Sequence, residues 1–255
     1  VLVTRAVPLS AEVDHSLGGR WTSLRTAHRE WLWHRPDPAR AEVAPGGSFV
    51  DAGGLEECVP TVRGTPDHGD AWSRPWHETG VDCPGFSVRR NIGSRDGTVV
   101  ADYELTAEPG YRFVWAAHAL LDVSPEARLV APVGTPVLMT DPEPVPRSWP
   151  AGLASLGPDD GSAAGAVLEH GQIRVVDGDH QLDLRVECAD QPVSIALWRN
   201  LRGWPESDPY RSVGVEPMLG RTFNRDDTTR PVAVVPASGV VRWRMTLTAY
   251  VEGTA

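Results

Sequence analysis

Apolar and polar residues alternate with a period of two through much of the chain. Val241, Trp243, Met245, Leu247, Ala249 and Val251 alternate with Arg242, Arg244, Thr246, Thr248 and Tyr250. A strand with one buried and one wet face reads this way. Tyr111, Phe113, Trp115 and Ala117 alternate in the same manner with Arg112, Val114, Ala116 and His118. Tyr103 and Leu105 precede them across Glu108-Pro109-Gly110, so residues 99–122 read as a hairpin. Ile173–Val176 and Leu182–Val186 flank Asp177-Gly178-Asp179-His180 as a second hairpin, and Val193–Trp198 and Tyr210–Val215 add further strands. Helical periodicity is scarce, and 25 Gly and 23 Pro would interrupt long helices. The expected fold is all-β, an antiparallel sandwich in one domain over residues 1–255. Residues 132–168 stand apart, with Pro132, Pro136, Pro142, Pro144, Pro146, Pro150 and Pro158. So many prolines argue against a central strand and predict a long surface loop that either walls a site or merely connects.

Composition narrows the chemistry. The formal net charge of -10 disfavours nucleic acid and anionic membrane surfaces as partners. The chain contains no lysine, which excludes Schiff-base chemistry, pyridoxal phosphate attachment and a P-loop. Cys58, Cys83 and Cys188 match no zinc spacing and are expected to be reduced thiols. His28 and His34 do not form a zincin motif, and the Asp177-Gly178-Asp179 turn lacks calcium-loop spacing, so no metal site is expected. A nucleophile elbow is also missing. No apolar run reaches the ~18 residues of a spanning helix and no leader pattern is seen, so a cytoplasmic protein is expected.

Three separate stretches offer proton-transfer side chains. Pro66-Asp67-His68-Gly69-Asp70-Ala71-Trp72 carries His68 before a glycine that lets the chain turn. Arg74, Trp72 and Trp76 follow as a cation and two flat faces suited to a sugar ring. His118 lies among apolar residues with small neighbours, Ala116, Ala117 and Ala119, which would leave room for a ligand. A histidine on such a face can equally be a satisfied core residue. Glu216 follows Val213-Gly214-Val215 and precedes Pro217, which is expected to end the strand. A carboxylate there is open to desolvation and work as a base, or is a plain edge charge.

The order of these segments resembles the aldose 1-epimerase (galactose mutarotase-like) family. Gly53-Gly54-Leu55-Glu56-Glu57-Cys58-Val59-Pro60 is similar to its early glycine motif, and Asp67-His68-Gly69-Asp70-Ala71-Trp72 to its His-Gly motif. His118 matches its second histidine, and Val213-Gly214-Val215-Glu216-Pro217 its glutamate-bearing strand. Leu17-Gly18-Gly19-Arg20-Trp21-Thr22-Ser23-Leu24 and Trp198-Arg199-Asn200 also resemble family segments. Ala52 and Trp72 stand where the sugar-phosphate branch resembles R-G-G and H-G-F-A-R, which turns expectation away from a phosphorylated substrate.

The resemblance implies a β-supersandwich whose larger sheet holds the site, and an isomerase that interconverts the α and β anomers of an aldose. Glu216, His118 and His68 would be catalytic, with Arg74, Trp72, Trp76 and Trp198 lining the sugar site. No cofactor is implied, because every step is proton transfer. The partner is a small sugar. A sandwich that binds carbohydrate without turnover, or a tailoring enzyme acting on a cyclic hemiacetal-like natural product, would share these features.

Overall fold

The computed structural model describes residues 2–77, 79–140 and 143–254. Two large antiparallel sheets form the molecule. The eight-stranded sheet runs Arg128–Val130, Gln172–Asp177, His180–Glu187, Val240–Thr254, Thr98–Ala107, Phe86–Arg95 and Gly80–Cys83, with Leu2–Val7 on the C-terminal half of Val240–Thr254. The nine-stranded sheet runs Val145–Ser148, Pro136–Met139, Ser162–Leu168, Val193–Leu201, Arg211–Leu219, Trp115–Leu121, Leu55–Cys58, Arg20–Arg25 and Ser10–Asp14. The all-β expectation therefore holds among the described residues, where the helical elements are short 3-10 turns.

The alternation read from the sequence is the core. Val241, Trp243, Met245, Leu247 and Ala249 are buried and pack with Trp115, Val215, Leu197 and Leu184 between the sheets. Tyr103 and Trp243 stack with centroids 5.0 Å apart, and Trp115 tilts against both. One charged pair crosses this apolar layer. Glu57 accepts from Arg90 Nη1 at 2.5 Å, Tyr103 Oη at 2.9 Å and Trp115 Nε1 at 2.8 Å. Arg90 also donates to the Gly19 carbonyl and lies 4.6 Å from the Trp76 ring. A carboxylate this deep requires such saturation, since a buried charge without partners is costly.

Three expectations are corrected. Residues 99–122 are not a hairpin: Thr98–Ala107 belongs to the eight-stranded sheet and Trp115–Leu121 to the nine-stranded one. The turn forms, with Tyr111 N donating to Glu108 O, but it carries the chain from one sheet to the other. A turn between two alternating runs has the same local signature in both cases.

Residues 132–168 are not a loop throughout. Pro136–Met139, Val145–Ser148 and Ser162–Leu168 pair in register at one end of the nine-stranded sheet. Pro136 opens its strand and Pro146 sits on the outermost strand, where a missing N–H costs no ladder bond. Pro142 lies outside the described residues.

Pro217 does not end its strand either, which runs on to Leu219. Its pairing with Val193–Leu201 is continuous through Ile195↔Pro217, while pairing with Trp115–Leu121 lapses between Gly214↔Leu120 and Met218↔Ala116. The absent donor is absorbed at that gap.

Candidate active site

The site grows from one row of side chains across the nine-stranded sheet. Glu56 is paired with His118, and Glu216 with Ala196. The pairs Gly214↔Leu120 and Met218↔Ala116 set Glu216 opposite His118 across the lapse at Pro217. In antiparallel strands opposite residues share a face. This face points away from the inter-sheet core and carries a second apolar cluster, including Cys58, Ala116, Val167, Ala196 and Met218. His118 Nε2 lies 3.8 Å from Glu216 Oε1.

His118 thus has a carboxylate on each side, and the two have different surroundings. Glu56 accepts from Arg40 Nε at 2.8 Å and Arg40 Nη2 at 3.0 Å, and Arg20 Nε lies 3.5 Å away. Its charge is committed to two guanidinium groups. Glu216 lines a cavity instead. Burial pushes its carboxyl above the ordinary glutamate range; His118 opposes that push and the negative charge of Asp51 adds to it. Burial pushes Glu56 upward as well, against Arg40 and Arg20, so what sets Glu216 apart is that it opens on the cavity, where a ligand proton can reach it.

His68 reaches the site from a loop. Its φ is 59°, a left-handed conformation, and Gly69 follows at φ 79°. A β-carbon at Gly69 would stand 2.2 Å from the Val59 carbonyl oxygen, so the turn after the histidine requires glycine. The His68 ring meets His118 edge-on with centroids 5.1 Å apart. Phe49 stacks on His68 at 3.6 Å and meets His118 edge-on at 5.5 Å, covering both imidazoles. His68 Nδ1 lies 3.0 Å from Asp67 Oδ2, outside hydrogen-bond angles. Burial lowers the His68 pKa, with Asp67 opposing and His118 adding to the shift. Asp67 is in turn held below its ordinary range by His68.

These groups share a cavity of about 480 Å³ lined by Phe49, Asp51, Asp67, His68, His118, Trp198, Trp204, Tyr210 and Glu216, with Arg63 and Phe223 among the remaining walls. His68, His118, Glu216 and Trp198 of the sequence-derived set come together here. Trp198 is paired between Gly165 and Gly214, two residues without side chains, and its Nε1 donates to Ser212 Oγ at 3.2 Å. Asn200, two positions on, holds the Trp204 loop through both amide atoms.

Trp72, Trp76 and Arg74 do not line the cavity. Trp72 and Trp76 are buried, Trp72 beneath Phe49 and beside Arg40, Trp76 against Gly19 and Arg90. Arg74 pairs with Asp70. Their aromatic bulk serves packing, which is where large rings gain most. Phe49, Asp51, Trp204 and Tyr210 carry no sequence signal as site residues beyond nearness to the Gly53-Gly54 and Trp198–Asn200 segments; Phe49, Asp51 and Trp204 lie outside the strands read from the sequence, and Tyr210, read as the first residue of a strand, sits just ahead of Arg211–Leu219.

A broader depression of about 970 Å³ lies on the eight-stranded sheet near His170, Cys188 and Trp243. Its arginines are taken up in pairs, Arg242 with Glu104, Arg244 with Asp102 and Arg185 with Glu187. It offers no juxtaposed acid and base comparable to His118 and Glu216. Among the described residues, no group of three or more His, Cys, Asp and Glu side chains is placed to hold a metal ion.

No protein-family profile matches the sequence, and no curated protein matches it. Solved structures do. The Slr1438 protein of Synechocystis sp. PCC 6803 superposes with a TM-score of 0.73 at 11% identity, over 98% of this chain and 96% of that one. A galactose mutarotase related enzyme from Lactobacillus acidophilus gives 0.65 at 13% identity, over 100% and 98%. A candidate aldose 1-epimerase from Escherichia coli K12 gives 0.63 at 13% identity, over 98% and 99%. Low identity with end-to-end coverage is a likeness of fold, and the chain has the galactose mutarotase-like fold.

Proposed function

We propose that the protein interconverts the α and β anomers of an aldose by acid–base ring opening and closure. The observation that carries this reading is the His118–Glu216 pair, 3.8 Å apart in a cavity that His68 also enters. Glu216 takes the proton of the anomeric hydroxyl. As the C1–O1 bond becomes a carbonyl, the C1–O5 bond breaks and the ring oxygen takes a proton from His118. Rotation about C1–C2 and closure with the proton transfers reversed gives the other anomer. His68 donates a hydrogen bond to the oxygen where charge develops. Each step moves a proton between side chains and substrate oxygens, and the enzyme ends as it began.

The two catalytic groups need opposite protonation states at one pH. Burial favours the neutral glutamic acid, and an adjacent imidazolium favours the carboxylate. The pair as a unit supplies the base-and-acid state. Polarimetry on freshly dissolved single anomers of free aldoses tests the proposal. Wild type should speed mutarotation above the solvent rate, and His118→Ala should lose about 10²–10⁴ of that. Binding of aldoses with mutarotation left at the solvent rate would instead favour a carbohydrate-binding module.

A further inference from the structure

Asp51 is a cavity carboxylate that the proton transfers above do not use. Its Oδ1 accepts from Gly53 N at 3.2 Å and its Oδ2 from Tyr210 Oη at 2.5 Å. Tyr210 arrives from far along the chain, and its ring is fixed on the cavity wall. It stacks on Trp33 with centroids 5.5 Å apart and planes 5° apart, and the Arg35 guanidinium sits 4.2 Å from its centre. Arg35 is itself paired with Asp208.

A phenol has one proton to give, and that of Tyr210 goes to Asp51. The pair therefore presents only lone pairs to a ligand: those remaining on the carboxylate and those on the phenolic oxygen. Burial and the Asp51 charge raise the Tyr210 pKa, so the proton stays on the oxygen. An edge made of acceptors recognises donors. Asp67 and Glu216 add two further carboxylates to the lining, three in all against the guanidinium of Arg63 and the imidazolium of His118. Phosphate and carboxylate groups are acceptors with negative charge and meet repulsion here.

We infer that Asp51 and Tyr210 form a hydroxyl-anchoring edge that selects an unphosphorylated sugar and fixes its ring against Glu216 and His118. This rests on the anomer-exchange reading for its substrate class, while the anchoring itself can be measured without turnover.

The probes are D-glucose, D-galactose, their 6-phosphates, and 1,5-anhydro-D-glucitol, which has no anomeric hydroxyl and cannot react. Calorimetry and NMR exchange would be run on wild type, Asp51→Asn and Tyr210→Phe, each checked for an unchanged melting profile. Wild type should prefer the free sugars to their 6-phosphates. Asp51→Asn should raise KM, and weaken binding of the anhydro sugar, by roughly 10- to 100-fold, the scale of a hydrogen bond to a charged acceptor. Its kcat should fall far less than its KM rises, and discrimination against the 6-phosphates should shrink. Tyr210→Phe should move the same quantities in the same direction by less, and it decides the matter if Asp51→Asn does not fold.

Wild type that exchanges anomers while both variants keep its KM would overturn the inference and leave the enzyme reading intact. A preference for 6-phosphates would do the same. Wild type that binds the anhydro sugar through Asp51 yet exchanges no anomers would uphold the anchor and remove the enzyme reading. Absence of binding by every probe would overturn both.

Discussion

The Glu216 carboxylate is folded over Gly214: a β-carbon at that glycine would stand 2.5 Å from Glu216 Oε1 and 3.0 Å from the Trp198 β-carbon. A backbone position without a side chain is what lets the carboxylate lie toward His118. Gly214→Ala should therefore push the carboxylate aside while the strand still forms. Misplacement by about 1 Å can cost on the order of 10²-fold in rate. The expected outcome is a marked loss of kcat with circular dichroism unchanged; unaltered kcat would show that the folded-back carboxylate does not set the active geometry.

Glu216 carries a second consequence, for stability. Its carboxyl is held above the ordinary range chiefly by burial. A carboxyl whose folded pKa exceeds its unfolded one binds its proton more tightly in the native state. Its favourable contribution is then complete below the unfolded value of about 4.3 and is lost as pH rises through the raised folded value. Near neutral pH the buried charge is a cost that Glu216→Gln removes. The variant should melt above wild type near neutral pH, and the difference should close as pH falls toward about 4. A melting difference independent of pH would contradict a buried, titrating Glu216.

The Glu57–Arg90 pair should behave differently, because both groups lie between the sheets with their partners satisfied. Arg90→Met removes the counter-charge of Glu57 and leaves it only the Tyr103 and Trp115 donors, and should destabilise by about 3–5 kcal/mol. Adding Glu57→Gln should recover part of that loss. Urea denaturation of the single and double variants measures both. A double variant no more stable than Arg90→Met would show that the uncompensated charge is not the source of the loss.

What the sequence disclosed follows from how local each feature is. The strand Val240–Thr254 and the hairpin at Asp177–His180 are written in period-two alternation and turn residues, both local signals. His68, His118 and Glu216 could be picked out because titratable residues are conspicuous beside apolar or glycine-rich sequence; the sheet register sets His118 opposite Glu216, and the turn at His68-Gly69 brings the third side chain to them. The crossing at Glu108–Gly110 was hidden because a hairpin and a passage between sheets share one local pattern. Trp72 and Trp76 read as ligand platforms only while their burial was unknown; Arg40 and Arg90 pack against them from remote positions. Asp51 and Tyr210 lie 159 positions apart, and no spacing rule joins them.

The most direct test of the central claim is NMR saturation transfer between the anomers of a free aldose, with wild type and Glu216→Gln side by side. Glutamine keeps the shape and hydrogen bonding of the side chain but cannot take a proton. The account predicts that wild type transfers saturation faster than buffer, and that Glu216→Gln still binds the sugar but exchanges it at close to the buffer rate. Exchange by Glu216→Gln at the wild-type rate would contradict the assignment of Glu216 as the base.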